Sequence, residues 1–378
     1  MTRARFYSLQ RLENPMSLPQ PKPQVMSLPI YVPGKSAVQG ASRIIKLSSN
    51  EAALGPSPKA AAAYDDITRS LERYPEGDAA DLRDAIGKTN GIDPERIICG
   101  AGSDELILLT CRAFAGPGDE VVYPRYGFLM YEISTKSVGA TPVAAPVRDL
   151  TADVDALLAA VTDKTRIVFL ANPNNPTGTY IPASEVNRLR ASLREDILLV
   201  MDDAYAEYVE APDYETGMTL ASTTQNTITL RTFSKIYGLA ALRVGWGFGP
   251  AAIIGALQRL RSPFNVSRPA QAAAIAALSD QAHVARQRAH NTRLMKVVLQ
   301  RLRGIGLSVQ DSHGNFVLPE FPAGAVTDAD AFLQSRGILA RRVDGYGLPN
   351  YLRITLGTDE EMEITLDALA EFVSGRRG

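Results

Sequence analysis

Through the middle of the chain, hydrophobic residues come in short unbroken runs separated by longer stretches with apolar positions at helical spacing. RIICG (96–100), EVVYP (120–124), TRIVFLA (165–171), DILLVMDD (196–203), TITLRTF (227–233) and RVGWGFG (243–249) each have the length of one strand. Runs that are apolar on both faces and alternate with helices predict βαβ units around a mostly parallel, buried sheet. Past residue 266 the pattern changes. Residues 267–304 read as long helices rich in Ala and Arg, followed by shorter strand candidates near 307–310, 314–319 and 350–356. The expected architecture is an α/β chain with a flexible arm (1–29), a large sheet domain (67–274) and a smaller α+β domain built from 30–66 and 275–378.

Length and charge narrow the chemistry. A chain of 378 residues has room for two or three domains and a deep site. Lys and Arg total 40 against 41 for Asp and Glu, so a net charge of -1 gives no electrostatic reason to expect nucleic acid or an anionic membrane. No apolar run approaches the roughly 18–20 residues of a bilayer span. Cys99 and Cys111 lack zinc-type spacing, and His283, His290 and His313 are scattered, so no metal site is expected. The cysteine usage fits a reducing, cytoplasmic compartment. Near the N-terminus, Arg3, Arg5, Arg11 and the prolines 19, 21 and 23 read as an extension, with Met16 and Met26 as alternative starts.

Parallel sheets collect ligands at the carboxyl ends of their strands, and most of the polar motifs fall there. AGSDELI (101–107) turns from a strand into a helix through small residues, so its backbone N–H groups can converge on an anion. A dinucleotide fingerprint fails in detail, because the third glycine position is Glu105, and Gly245, Gly247 and Gly249 lie inside a strand candidate. ANPNNPTG (171–178) is a proline-stiffened turn that can fix an asparagine, although a plain turn reads equally well. MDDAYAEY (201–208) ends an apolar run with Asp202, which needs a cationic or hydrogen-bonding partner if buried. TFSKIYGL (232–239) sets Lys235 at the head of a glycine-rich segment whose only other cation is Arg243.

In this order along the chain, Gly102-Ser103, Asn175, Asp202 with Tyr205, Ser234-Lys235 and Arg243 resemble the motifs of fold-type I aminotransferases dependent on pyridoxal 5′-phosphate (PLP). The resemblance implies that Lys235 holds PLP as a Schiff base and, once released, shuttles the substrate's α-proton. It places Asp202 at the pyridine nitrogen, where a carboxylate favours the protonated electron sink. It gives Asn175 and Tyr205 to the phenolic oxygen, and Gly102, Ser103, Ser234 and Arg243 to the phosphate. Tyr126, in PRYGF (124–128), is the expected aromatic stacking residue.

Further stretches narrow the likeness. LPIYVPGKS (28–36), KLSSNEAALGPSP (46–58), RYPEG (73–77) and GILARRVDGYGLPNYLRITLGTDEE (337–361) resemble histidinol-phosphate aminotransferases. That family implies transamination of L-histidinol phosphate with 2-oxoglutarate. Arg341 and Arg353 would grip the substrates' anions, and Asn50 and Tyr31 would complete the substrate site. Tyr31 and Tyr74 would reach across a homodimer interface, Tyr74 to the cofactor phosphate. Two departures stand out: Ala52-Ala53 replaces the family's frequent Asn-Pro, and Arg342 replaces the usual proline after Arg341. An aromatic-amino-acid aminotransferase, a PLP decarboxylase of a phosphorylated amino acid and a non-enzymatic PLP-binding regulator remain as alternative readings.

Overall fold

The computed structural model describes residues 19–28 and 43–376. Seven strands form the central sheet: β1 (Ile97–Gly100), β2 (Glu120–Pro124), β3 (Thr141–Ala145), β4 (Thr165–Ala171), β5 (Leu198–Asp202), β6 (Thr227–Thr232) and β7 (Gly245–Phe248). Their spatial order is β1-β7-β6-β5-β4-β2-β3. Only β7 runs antiparallel to its neighbours, so the sheet is mostly parallel, as the runs predict. The edge strand β3 is not evident in the sequence; its TPVAA segment is half-exposed and carries Pro142, which an edge tolerates.

Alternation along each strand divides the core. Ile167, Phe169, Leu198 and Val200 pack on one face, while Val168, Leu170, Leu199 and Met201 pack on the other. The two-residue period puts the terminal Asp202 on the same face as Val200.

A second core gathers Ile45 and Leu47 from before the sheet with residues 294–372 from after it. It supports a small antiparallel sheet of β8 (Phe316–Val317), β9 (Arg341–Arg342) and β10 (Leu352–Thr355), with β10 in the middle. The 307–310 candidate contributes only an isolated bridge, Ser308 to Glu320. Ala60 and Val284 pack with Trp246 and Phe248 of the large sheet.

Three helices position the site. Helix α1 (Ser103–Phe114) starts directly behind β1, whereas α2 (Arg268–Ser279) and α3 (Gln281–Gly304) follow the sheet and realise the long helical stretch at 267–304. Ser267 caps α2, accepting from the amide of Ala270, and Asp280 caps α3, accepting from that of His283.

The start of α1 fits its place because β7 has glycine at position 245. A Cβ there would lie 2.6 Å from the Ser103 amide nitrogen and 2.8 Å from the Gly102 carbonyl carbon, both backbone atoms that cannot rotate away. Gly245→Ala is therefore expected to destabilise the protein by about 1–3 kcal/mol, measured by urea denaturation. An unchanged midpoint would show that the helix start can move.

Candidate active site

One cavity of about 230 Å³ opens at the carboxyl end of the sheet, between the sheet and the smaller core. It is lined by Asn50, Ser103, Asn175, Asp202, Tyr205, Ser234, Lys235, Arg243, Arg341 and Arg353, which lie far apart in sequence. Gly102 adjoins it through Arg243. Tyr31 lies outside the described residues. Tyr74 lies on a separate surface groove, 80 % exposed and stacked on Phe264 with ring centres 4.6 Å apart.

Each wall has a local cause. In the turn after β4, Asn172 closes the loop by exchanging hydrogen bonds with the backbone of Ile181, and Asn174 donates to Thr177 Oγ1 and to the Tyr126 carbonyl. Of the motif's three asparagines, Asn175 alone lines the cavity, where its Oδ1 accepts from Arg353 Nη1 at 2.5 Å. Asn50, held at φ 55°, donates Nδ2 to the Tyr205 hydroxyl at 2.8 Å, and its Oδ1 accepts from Thr355 Oγ1 at 3.1 Å.

Asp202 is buried. Tyr131 donates to its Oδ2 at 2.7 Å, while Oδ1 has no hydrogen-bond partner among the described residues. Burial pushes the carboxyl up to about 6 against the pull of the Tyr131 hydrogen bond. Lys235 Nζ donates to the Ser49 carbonyl at 3.2 Å, and burial, aided by the Arg353 charge, pushes its ammonium down to about 8. A lysine so placed gives up its proton far more readily than one in water.

Facing these groups is an anion cup. Gly102, at φ 85°, precedes Ser103 at the start of α1, and a Cβ on Gly102 would sit 2.4 Å from Arg243 Nη2. Arg243 Nη1 donates to Ser234 Oγ at 3.3 Å and its Nη2 to Asp104 Oδ2 at 3.1 Å. Backbone amides at a helix start and a guanidinium beside them suit a phosphate.

Tyr126 is not among the residues that line the cavity. Its backbone takes a left-handed turn, φ 65°, and its ring lies beside the Arg125 guanidinium in a different groove with Leu318 and Tyr351. Phe128, two residues on, lines the cavity instead. Tyr131 and Tyr346 were also missed. A tyrosine inside a helix, as Tyr131 is, reads as core until the sheet brings Asp202 against it.

The residues present fit PLP. A buried carboxylate oxygen without a partner, a cup cleared by Gly102 and a half-buried lysine on the same cavity match the cofactor's ring nitrogen, phosphate and aldehyde carbon in chemical type. Residues 42–369 match the family model for aminotransferase class I and II. The chain belongs to this family. It is 55 % identical over 361 residues to the histidinol-phosphate aminotransferase of Rhodospirillum rubrum, covering 95 % of this chain and 98 % of that one. With the corresponding enzyme of Paramagnetospirillum magneticum it shares 54 % identity, covering 95 % of this chain and 99 % of the relative. Its fold is similar to the crystal structure of histidinol-phosphate aminotransferase from Sinorhizobium meliloti in complex with pyridoxal-5′-phosphate, with a TM-score of 0.86 and 28 % identity. That similarity covers 96 % of this chain and 99 % of the other. The chain is thus a PLP-dependent aminotransferase of fold type I, and the decarboxylase and regulator readings find no support among these relatives.

Because the folded protein holds the Asp202 proton more tightly than the usual carboxyl, it binds more protons than the unfolded chain between about pH 4 and about pH 6. Stability from this group therefore falls as pH rises through that window and stays lowered above it. Cofactor-stripped Asp202→Asn is expected to exceed the wild type by about 1–3 kcal/mol at pH 7 in urea denaturation, with the gain shrinking towards pH 4. Parallel curves across the whole range would contradict the perturbed carboxyl.

Proposed function

We propose that this aminotransferase moves the amino group of L-histidinol phosphate to 2-oxoglutarate, giving imidazole acetol phosphate and L-glutamate in histidine biosynthesis. The observation that carries the reading is the register of β9 and β10, which sets Arg341 directly opposite Arg353 with both residues on the wall of one cavity. Like charges directly opposite on a sheet repel, and an anion offsets that repulsion. Histidinol phosphate brings a phosphate, and glutamate a second carboxylate, so two guanidinium forks serve both halves of the exchange. Phenylalanine offers only one singly charged carboxylate, whereas a phosphate monoester is close to doubly charged at pH 7. The names of the relatives point the same way.

In this reading Gly102, Ser103, Ser234 and Arg243 hold the PLP phosphate, Asn175 and Tyr205 its phenolic oxygen, and Asp202 its ring nitrogen, while Phe128 takes the stacking role expected of Tyr126. Bound there, PLP supplies an electron sink for the substrate carbon that bears the amine. Lys235 Nζ carries that carbon's proton, helped by the burial that weakens its hold on protons. Asp202 keeps an acceptor beside the ring nitrogen, and Tyr131 steadies it from behind.

The reading includes a homodimer in the cytoplasm. Tyr74 and Leu71, 80 % and 66 % exposed, share a groove with Phe264 away from the cavity lining, a surface of exposed apolar side chains among polar ones that suits a second copy. That copy would receive Tyr74 at its cofactor phosphate and Tyr31 near its substrate. Both cysteines are buried free thiols, in keeping with a reducing compartment.

Stopped-flow half-reactions with L-histidinol phosphate and L-phenylalanine are expected to show a strong preference for the phosphate ester; equal or faster reaction with phenylalanine would move the enzyme to aromatic amino acids. Lys235→Ala is expected to abolish turnover, and Arg353→Lys to cost about 2–4 kcal/mol in kcat/KM, since a point charge cannot replace a planar fork. Mixing inactive Lys235→Ala with impaired Tyr74→Ala subunits should recover activity, because the hybrid holds one intact site. No recovery after verified subunit exchange counts against a shared site.

A further inference from the structure

The segment 48–57 forms one wall of the cavity and then leaves it. Ser48, Ser49, Asn50 and Glu51 line the cavity, and the Ser49 carbonyl accepts from Lys235 Nζ. The following Ala52-Ala53 gives the loop no proline of its own until Pro56. Neighbouring elements hold it: Asn315 Nδ2 donates to the Asn50 and Glu51 carbonyls at 3.1 Å each, and α3 holds the next turn. Gln287 of α3, 2 % exposed, donates Nε2 to the Gly55 carbonyl at 2.8 Å, and its Oε1 accepts from the Leu54 amide at 3.4 Å. His283, one turn earlier and 5 % exposed, places Nε2 3.1 Å from the same carbonyl.

On its other side the loop meets the turn that carries Lys235. Gly238, at φ 70°, donates its amide to the Lys235 carbonyl at 2.9 Å. A Cβ on Gly238 would fall 2.5 Å from the Gly55 carbonyl oxygen and 2.7 Å from Pro56 N. The Gly55 peptide is therefore gripped between α3 and the lysine turn, with no space for it to settle closer. Neither Gln287 nor His283 is among the residues that line the cavity.

We propose that Gln287, supported by His283, is a positioning residue that sets the wall Ser48–Glu51 over Lys235 through its two bonds to the 54–55 peptide. It governs how well the substrate is received more than how tightly the cofactor is held, because the phosphate cup and Asp202 lie on other elements and the wall reaches the cofactor residues only through Lys235 and Tyr205. The inference rests on reading this cavity as the aminotransferase site. A buried glutamine that merely satisfies a loop would lower stability when replaced without separating KM from kcat.

The test compares wild-type holoenzyme with Gln287→Met, which keeps the side chain's length and removes both hydrogen bonds. The expected result is a KM for L-histidinol phosphate raised about tenfold, with kcat, the PLP absorption spectrum and the PLP Kd unchanged. Amide hydrogen exchange should quicken over 51–57 and not over 232–239. Unchanged KM and exchange would overturn the proposal, as would a fall in kcat and melting temperature with no separate effect on KM. If Gln287→Met does not fold, His283→Leu decides in the same exchange assay: faster exchange over 51–57 supports the proposal and unchanged exchange overturns it. Failure of the wild type to accept L-histidinol phosphate would sink the substrate reading, while the exchange data would still decide the loop's positioning.

Discussion

A carboxylate buried at the end of a central strand is the constraint on which the site depends. Burying Asp202 costs free energy, visible in a carboxyl pushed up to about 6, and its compensation comes from Tyr131 on one oxygen. The position follows from the core. Asp202 continues the face of Leu198 and Val200, the face on which Tyr131 stacks against Phe169 with ring centres 4.6 Å apart. Sheet register then fixes its neighbours: Asp202 stands opposite Ala171 on β4 and Leu230 on β6. The loop holding Asn175 leaves from the first and the turn holding Lys235 from the second. Apolar packing far below the cavity thus sets the spacing of its polar groups, and a one-residue slip of β5 would send Asp202 to the opposite face.

The anion cup uses the same economy of space, with backbone amides beside a guanidinium. The antiparallel β7 brings Gly245 against the start of α1, so the amide of Ser103 and the side chain of Arg243 share a small volume. Arg243 itself has a left-handed backbone, φ 53°, a conformation an arginine adopts only when its surroundings hold it there. Ser234, Asp104 and the Ala240 carbonyl receive its N–H groups and supply that hold.

What the sequence made legible was whatever local pattern carries. Unbroken apolar runs located six of the seven strands, and the polar residues just after them located Asn175, Asp202, Ser234 and Lys235. Features decided by long-range packing were not legible. The strand Arg341–Arg342 has no apolar signature, and β3 is a half-exposed edge. Tyr126 was the aromatic residue that the resemblance implied, whereas Phe128, two residues past a left-handed turn, is the one that lines the cavity. Gln287 lies in a long helix whose repeating pattern gives no sign that one of its side chains grips a loop more than 230 positions away.

Arg342, directly after Arg341, illustrates how strand geometry limits charge. On a strand, neighbours point to opposite faces, so Arg341 at the cavity requires Arg342 to face away. Arg342 Nε and Nη2 donate to the two oxygens of Asp344 at 2.8 Å and 2.6 Å, and Nη1 donates to Thr327 Oγ1. The extra cation in place of the expected proline is therefore spent outside, and does not add to the field on the substrate. Inside, the described residues lining the cavity carry Lys235, Arg243, Arg341 and Arg353 against Glu51, Asp104 and Asp202. That slight positive excess suits a site that must hold anions firmly and still release them as donor and acceptor change places. A fourth guanidinium facing inward would strengthen ground-state and transition-state binding alike, which lowers KM without raising kcat.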